Sequence, residues 1–237
     1  MNNAMLWLLD AANWFGSAVC HQWDSHSYFI AGVPLCLCAR CTGMYLGGLL
    51  TLLYLALRKP RAAQLPKLPY LVALLVFFFL WAGDGVNSFA SAALGHPFLY
   101  EPQNSLRLIT GALMGISLGS LLFVMLNGNL YRNPYSKPIY ENVADFLILL
   151  ALIAALVLLV NSQMAWLLYP LSAFMLVAVI GLNASIWTAL AASFFRAVTQ
   201  PRELLPRFAV GITLALLLLN GLALGRYALG VYLGVPL

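Results

Sequence analysis

Residues 147–160 read LILLALIAALVLLV, a run of fourteen consecutive apolar residues without a charge or a turn residue. A helix that crosses a bilayer needs about 20 mostly apolar residues, whereas the strands of a membrane barrel alternate apolar and polar side chains over about ten residues. This run does not alternate, and a segment in hydrocarbon must satisfy its own backbone hydrogen bonds. The stretch therefore predicts a transmembrane helix and an all-α fold class.

The composition extends this prediction to the whole chain. Hydrophobic residues make up 63% of the 237 residues and charged residues only 8%, against about 25% charged in soluble domains. Besides the span at 143–160, long apolar segments occupy residues 42–57, 68–86, 106–126, 164–192 and 208–226, and a weaker one occupies residues 5–20. We predict a polytopic transmembrane helix bundle of about seven helices, forming a single integral membrane domain over residues 1–237.

The basic residues predict how the bundle is oriented. Nine of the twelve lie in alternate loops: Arg58, Lys59, Arg61, Lys67, Arg132, Lys137, Arg196, Arg202 and Arg207. Lys and Arg in short loops mark the cytoplasmic side, so we expect a multi-pass cell-membrane protein with a cytoplasmic N-terminus. Residues 20–41 and 87–105 then lie on the periplasmic or extracellular side. Because the positive charge belongs to loops at the membrane, the expected partner is the lipid bilayer and no nucleic acid is expected.

All four cysteines fall within 22 residues of one predicted outward loop, residues 20–41. Cys38 and Cys41 have the spacing at which two thiolates share one tetrahedral metal ion, and a Cys-His pair such as Cys20-His21 completes such a site. Thiolate ligands favour zinc, with Cu(I) or an iron–sulfur centre as alternatives. We therefore predict a metal site with Cys20, His21, Cys38 and Cys41 as ligands.

Two other interpretations of the cysteines stay open. An outward-facing Cys-x-x-Cys beside a cation such as Arg40 is also typical of a thiol–disulfide oxidoreductase, here one that passes electrons to a membrane quinone. The cysteines are also compatible with two structural disulfides in an oxidising compartment.

Polar residues within the apolar segments indicate a second group of candidate site residues. Asp84, Asn87 and Ser88 follow one another at i, i+3 and i+4, so they share one face of a helix, and Arg107 follows Asn104 by three residues. Ionisable groups at such depth usually face the interior of a bundle or a water-filled cavity. We expect Asp84 and Arg107 to approach one another.

Their chemistry favours binding of an anion. We predict Asp84 and Arg107 as catalytic acid or base and anion clamp, with Arg40, Asn87 and Asn104 as binding residues for an anionic lipid or carboxylate. The function that combines these expectations is a membrane enzyme with an outward metal site, acting on a lipid-like or anionic substrate. A thiol–disulfide oxidoreductase coupled to quinone and a metal or small-solute transporter are the alternatives.

Glycines repeat every four residues in two of the segments. Gly43 and Gly47 form one stripe, and Gly111, Gly115 and Gly119 form the other. Such stripes let helices approach closely. We predict packing between helices, with oligomerisation through the stripes as the second possibility.

Cys20-His21-Gln22 and the later run CARCTGMYLG (38–47) resemble the signature of a prokaryotic membrane-protein family, the domain of unknown function 2085. The similarity extends to Asp84-Gly85 and to residues 104–107, and so covers about the first half of the chain. The resemblance implies that Cys20, Cys38 and Cys41 are the central cysteines and that Cys36 is an extra one. It also implies that His26 is not essential, since the family often has Arg-Ser-Phe where this chain has His26-Ser27-Tyr28. It implies an integral membrane protein of uncharacterised activity.

Overall fold

The computed structural model describes residues 3–131, 133–195 and 204–234. Three residues of the predicted basic loops, Arg132, Arg196 and Arg202, lie outside the described residues.

Seven α-helices make up most of the described chain. They are α1 (Asn3–Ser17), α2 (Ala39–Arg58), α3 (Leu68–Leu94), α4 (Asn104–Leu130), α5 (Val143–Asn161), α6 (Leu168–Phe195) and α7 (Leu204–Leu233). Helices α2 to α7 are long and apolar enough to cross a membrane, whereas α1, at 15 residues, is not among these six. The all-α fold class and the multi-pass membrane character are thus confirmed.

Helix α3 is longer than its apolar run predicts. The run ends near residue 86, but the helix continues to Leu94, where Gly95 adopts the left-handed conformation (φ 72°) and its N–H bonds the carbonyl of Ser91. The added turns carry Asn87 and Ser88, which are buried inside the protein. A helix can carry polar residues at this depth when they face protein rather than lipid.

Two pairs of short strands lie in the connections. Strands β1 (Phe29–Ile30) and β2 (Val33–Pro34) form an antiparallel hairpin whose turn residues, Ala31 and Gly32, have positive φ angles of 52° and 79°. Two such residues in succession are typical of a tight type I′ hairpin turn. Strand β3 (Ala62–Gln64) pairs in parallel with β4 (Tyr135–Pro138). None of these strands was predicted from the sequence.

The contacts divide the chain into two compact units. The first contains α1, α6, α7 and the β1–β2 hairpin; the second contains α2 to α5 and the β3–β4 pair. The chain passes from one unit to the other between Cys38 and Ala39. That residues 1–237 form a single domain stays a prediction.

Inside the second unit, the two glycine stripes pack against each other. A Cβ atom on Gly47 would lie 2.8 Å from the carbonyl oxygen of Ala112, and one on Gly115 would lie 2.7 Å from the amide nitrogen of Gly48. Helices α2 and α4 therefore touch backbone to backbone, which confirms the predicted packing role. Oligomerisation through the stripes stays a prediction.

Candidate functional site

The segment between α1 and α2 brings the cysteines into the protein interior. After α1 the chain turns at Cys20, whose amide bonds the carbonyl of Gly16 over 2.9 Å. The β1–β2 hairpin then reverses the chain and returns it as Cys36, Leu37 and Cys38, all three of which are buried. Helix α2 begins at the next residue, so Cys41 lies in its first turn.

Three of the four sulfur atoms come together. The Sγ atoms of Cys20, Cys38 and Cys41 all lie within 4.8 Å of one another, and the backbone amide of Cys38 donates a hydrogen bond to the Sγ of Cys20 over 3.2 Å. Cys41 follows Cys38 by only three residues, so the backbone between them determines the position of one relative to the other. A tetrahedral zinc ion with Zn–S bonds of about 2.3 Å separates its sulfur ligands by about 3.8 Å. The three cysteines could therefore hold a metal ion after a small inward adjustment.

The start of α2 lies beside Cys38 and Cys41. The first N–H groups of a helix have no partner within the helix, and the helix dipole places positive potential there. Cys38 immediately precedes α2 and Cys41 lies in its first turn. Thiolates, which are the forms that bind metals and attack disulfides, are stabilised by such an environment.

Cys36 is separate from this group. Its Sγ lies 3.9 Å from the Sδ of Met175, and burial raises the pKa of its thiol to about 12. A thiol that stays protonated is a poor metal ligand. This fits the resemblance, which gave Cys36 no central role.

His21 contacts another histidine. Its Nε2 lies 3.0 Å from the Nδ1 of His26, and the two rings pack edge to face, with the ring of Trp23 against both. The group of metal-compatible atoms contains three cysteines and not His21. Its role as a fourth ligand stays a prediction.

Gln22 fixes the loop that carries the cysteines. It adopts a left-handed backbone conformation (φ 54°), and its Nε2 donates to the carbonyl oxygens of Asn13, over 3.0 Å, and of Cys36, over 2.9 Å. The glutamine therefore ties the last part of α1 to the segment after β2 that leads into Cys38. The sequence contained the signal, since Gln22 belongs to the Cys-His-Gln motif, but it did not indicate this role.

Arg226 of α7 holds the backbone at Cys20. Its Nη1 donates to the carbonyl of Ser17 over 3.1 Å and to the carbonyl of Cys20, and its Nη2 donates to the carbonyl of His21 over 2.8 Å. Ser17 is the last residue of α1, where helix carbonyls lack partners within the helix, and Cys20 and His21 lie in the loop that follows. A lone arginine in an apolar segment usually has a partner within the protein, but Arg226 was not predicted as part of the site.

The predicted polar group lies within the second unit. The Nε of Arg40 donates to the Oδ2 of Asp84 over 2.9 Å, and its Nη2 also binds that oxygen and donates to the Oγ of Ser88 over 2.9 Å. The Nε of Arg107 lies 3.4 Å from the same Ser88 Oγ, and its Nη1 donates to the Oδ1 of Asn104 over 2.8 Å. Asp84 thus has an ion pair with Arg40, and Arg107 lies beside that pair.

Asn87 orders the connection between α3 and α4. Its Oδ1 accepts the amide of Leu99 over 2.9 Å, and its Nδ2 donates to the carbonyl of Tyr100 over 3.0 Å. The loop so held presents the hydroxyl of Tyr100 to the Oδ1 of Asp84, over 2.8 Å. Removal from water, and then the bond to Asp84, raises the pKa of Tyr100 to about 12. Tyr100 was not predicted, because nothing in its loop marks it before the fold is known.

Comparison with known proteins identifies a family and a relative that are similar to part of this chain. Residues 20–121 match the model of the family described as "Predicted membrane protein (DUF2085)", so the family resemblance is confirmed over that region. An uncharacterized protein of Methanocaldococcus jannaschii is 33% identical over 103 residues, which cover 43% of this chain and 60% of that protein. The aligned part thus spans less than two thirds of the relative. No solved structure matches the chain.

Proposed function

We propose that this membrane protein binds a metal ion through the thiolates of Cys20, Cys38 and Cys41. The observation that carries the proposal is the approach of the three sulfur atoms to within 4.8 Å of one another. Three soft ligands suit zinc best, and Cu(I) or an iron–sulfur centre next. The matched family region, residues 20–121, includes all three cysteines.

The number of protein ligands bears on what such a metal would do. Structural zinc sites have four protein ligands, whereas catalytic sites have three and leave one position for water or substrate. Because the group of metal-compatible atoms contains the three cysteines and not His21, we propose three protein ligands and an open fourth position. An exchangeable position is what a membrane enzyme or a metal carrier requires. We therefore expect the His21→Ala variant to keep its metal. Loss of the metal in that variant would instead indicate that His21 is the fourth ligand.

The orientation of the site is part of the proposal. The bias of Lys and Arg toward alternate loops supports a periplasmic or extracellular position for residues 20–41. We also propose that the metal site and the Arg40–Asp84 group act on one lipid-like or anionic substrate.

A thiol–disulfide oxidoreductase is the second candidate. It is favoured by a Cys-x-x-Cys pair at the start of a helix. In that chemistry, Cys38 and Cys41 would form a disulfide and give two electrons and two protons to a quinone, which would become a quinol.

Elemental analysis separates the two candidates. Protein purified in detergent under reductant, without added metal, is expected to contain about one equivalent of metal, and Cys20→Ala and Cys41→Ala are expected to lose it. Metal-free wild-type protein whose thiols are oxidised by a soluble quinone analogue would replace the first candidate with the second. Metal-free protein with unreactive cysteines would contradict both.

A further inference from the structure

The last turns of α3 present polar side chains to one loop. Asp84, Asn87 and Ser91 follow one another at i, i+3 and i+7, a spacing that places them along one side of a helix. All three side chains bond the loop of residues 95–103, which connects α3 to α4. This side of α3 therefore holds the loop in place.

Hydrogen bonds fasten the backbone of the loop to α3. The Oδ1 of Asn87 accepts the amides of Leu99, over 2.9 Å, and of Tyr100, over 3.4 Å, and its Nδ2 donates to the carbonyl of Tyr100 over 3.0 Å. The Oγ of Ser91 accepts the amide of Phe98 over 3.0 Å. The loop thus has a defined position, and polar contacts define it.

Apolar packing contributes little to that position. The side chains of Phe98 and Leu99 point outward, since these residues are 51% and 73% exposed. Segments that bury few apolar side chains open locally at a lower free-energy cost than the packed helices around them. The loop can therefore open while α3 and α4 stay folded.

The loop also covers Asp84. Tyr100 is 37% exposed and Asp84 is 2% exposed, and the tyrosine hydroxyl donates to the Oδ1 of Asp84 over 2.8 Å. The tyrosine thus lies between the carboxylate and the surface. The other carboxylate oxygen, Oδ2, accepts the Nε of Arg40 over 2.9 Å. An acid or base has to come within hydrogen-bond reach of its substrate, so one of these two partners has to give way.

Tyr100 is the partner that leaves more easily. Breaking the buried ion pair with Arg40 would leave a charge without compensation, which is strongly unfavourable. The tyrosine hydroxyl is neutral and can exchange its bond to Asp84 for one to water, so its loss costs less. It also belongs to the loop, whereas Arg40 belongs to α2.

We propose that residues 95–103 form a lid over Asp84 and that the hydroxyl of Tyr100 is its latch. In the closed position the latch occupies the Oδ1 of Asp84. When the lid opens, that oxygen and the neighbouring guanidinium of Arg40 become accessible together. The lid rests on the proposed function in one respect, which is that the Arg40–Asp84 group acts on a substrate.

A cysteine placed under the lid measures its opening. Ser88 is 5% exposed and its Oγ accepts the Nη2 of Arg40 over 2.9 Å, and cysteine is close to serine in size. The Ser88→Cys protein, purified in detergent, is treated with methyl methanethiosulfonate, a small neutral reagent. Mass spectrometry of peptides gives the modification at position 88 separately from the other cysteines. Because the reagent reaches this thiol in the open state, its rate follows the open population.

The latch is tested by adding Tyr100→Phe, which keeps the ring and removes the hydroxyl. We expect modification at position 88 to become about tenfold faster or more, the range for loss of a hydrogen bond to a charged group. Leu99→Ala is the matched control in the same loop. Its contact with Asn87 comes from the backbone amide, so the latch stays and the rate should equal that of Ser88→Cys alone.

Equal rates with and without Tyr100→Phe would overturn the lid. An acceleration of the same size in Leu99→Ala would overturn the latch, because any change in the loop would then loosen it. If Ser88→Cys does not fold, Thr110→Cys replaces it, since Thr110 is 6% exposed and its Oγ1 lies 3.5 Å from the Oδ2 of Asp84. Metal content is measured on the same samples, so a metal-free protein whose labelling follows the prediction would contradict the metal site and leave the lid.

Discussion

The backbone amide of Cys38 donates a hydrogen bond to the Sγ of Cys20 over 3.2 Å. This bond joins two cysteines that are 18 residues apart in the sequence and holds the sulfur of Cys20 against Cys38, the residue that precedes α2. Amide donors and the helix dipole at that position stabilise a thiolate. The central claim concerns this grouping: the segment of residues 20–41 brings the sulfur atoms of three cysteines together.

Arg226 should act as a positioning residue for the proposed metal site. Its guanidinium donates to the carbonyls of Ser17, Cys20 and His21, so it fixes the backbone from which the Cys20 thiolate projects. Changes to residues that orient metal ligands typically cost about 10–100-fold in metal affinity. We expect Arg226→Gln to fall in that range when bound metal is titrated with a competing chelator.

A matched control lies on the same helix. Asn220 of α7 accepts a hydrogen bond from the indole Nε1 of Trp14 over 3.0 Å, and so also joins α7 to α1, but it does not touch the backbone at Cys20. Asn220→Ala should keep wild-type metal affinity. Equal losses in Arg226→Gln and Asn220→Ala would mean that only helix packing is affected, and an unchanged affinity in Arg226→Gln would remove its positioning role.

Gly111 should tolerate no side chain. A Cβ atom there would lie 3.1 Å from the Cα of Arg40 and closer still to its carbonyl, and backbone cannot move aside as the end of a side chain can. Overpacking of this kind costs about 1–3 kcal/mol or more. We expect Gly111→Val to lower the unfolding midpoint in detergent. Gly128→Ala in the same helix, where nothing lies within 4 Å, should be neutral or stabilising, and equal destabilisation of both would contradict the close contact.

Tyr100 should contribute stability that disappears at high pH. A tyrosine in an unfolded chain has a pKa of about 10, and burial with the bond to Asp84 raises the pKa of Tyr100 to about 12 in the folded protein. A raised pKa favours folding fully below pH 10, and this contribution is lost as the pH rises toward 12. The difference in unfolding midpoint between wild type and Tyr100→Phe should therefore be constant up to pH 10 and shrink above it. The exposed Tyr135→Phe is the control, and a difference that fades near neutral pH would contradict the assignment.

The predicted orientation can be tested on both ends of α3. His96 follows this helix and Lys67 precedes it, and both are exposed. In whole cells, a membrane-impermeant maleimide should label His96→Cys and should label Lys67→Cys only after the cells are opened. The reverse pattern would invert the orientation and place the cysteine segment in the cytoplasm.

The membrane helices could be predicted from the sequence because they depend on local composition. Runs such as residues 147–160 have one stable state in a bilayer, and the glycine stripes on α2 and α4 indicated packing at the correct positions. The partner of Asp84 could not be derived in this way. Arg40 and Arg107 are both compatible with its charge, and only the packing of α2, α3 and α4 gives the ion pair to Arg40.

The roles of Gln22, Tyr100 and Arg226 depend on contacts between distant parts of the chain. Arg226 and Cys20 are 206 residues apart, and no spacing rule relates positions so distant. The three-cysteine group itself was predictable because its members fall within 22 residues of one predicted loop. His21 was predicted as a ligand because it is adjacent to Cys20, and that role stays a prediction.

The most direct test of the central claim compares the metal content of Cys38→Ala with that of Cys36→Ala. The two positions are two residues apart and both are buried, so folding defects should affect them alike, but only Cys38 belongs to the group of three sulfurs. The account predicts about one equivalent of metal in the wild type and in Cys36→Ala, and loss of the metal in Cys38→Ala. A metal-free wild type, or metal retained in Cys38→Ala, would contradict it.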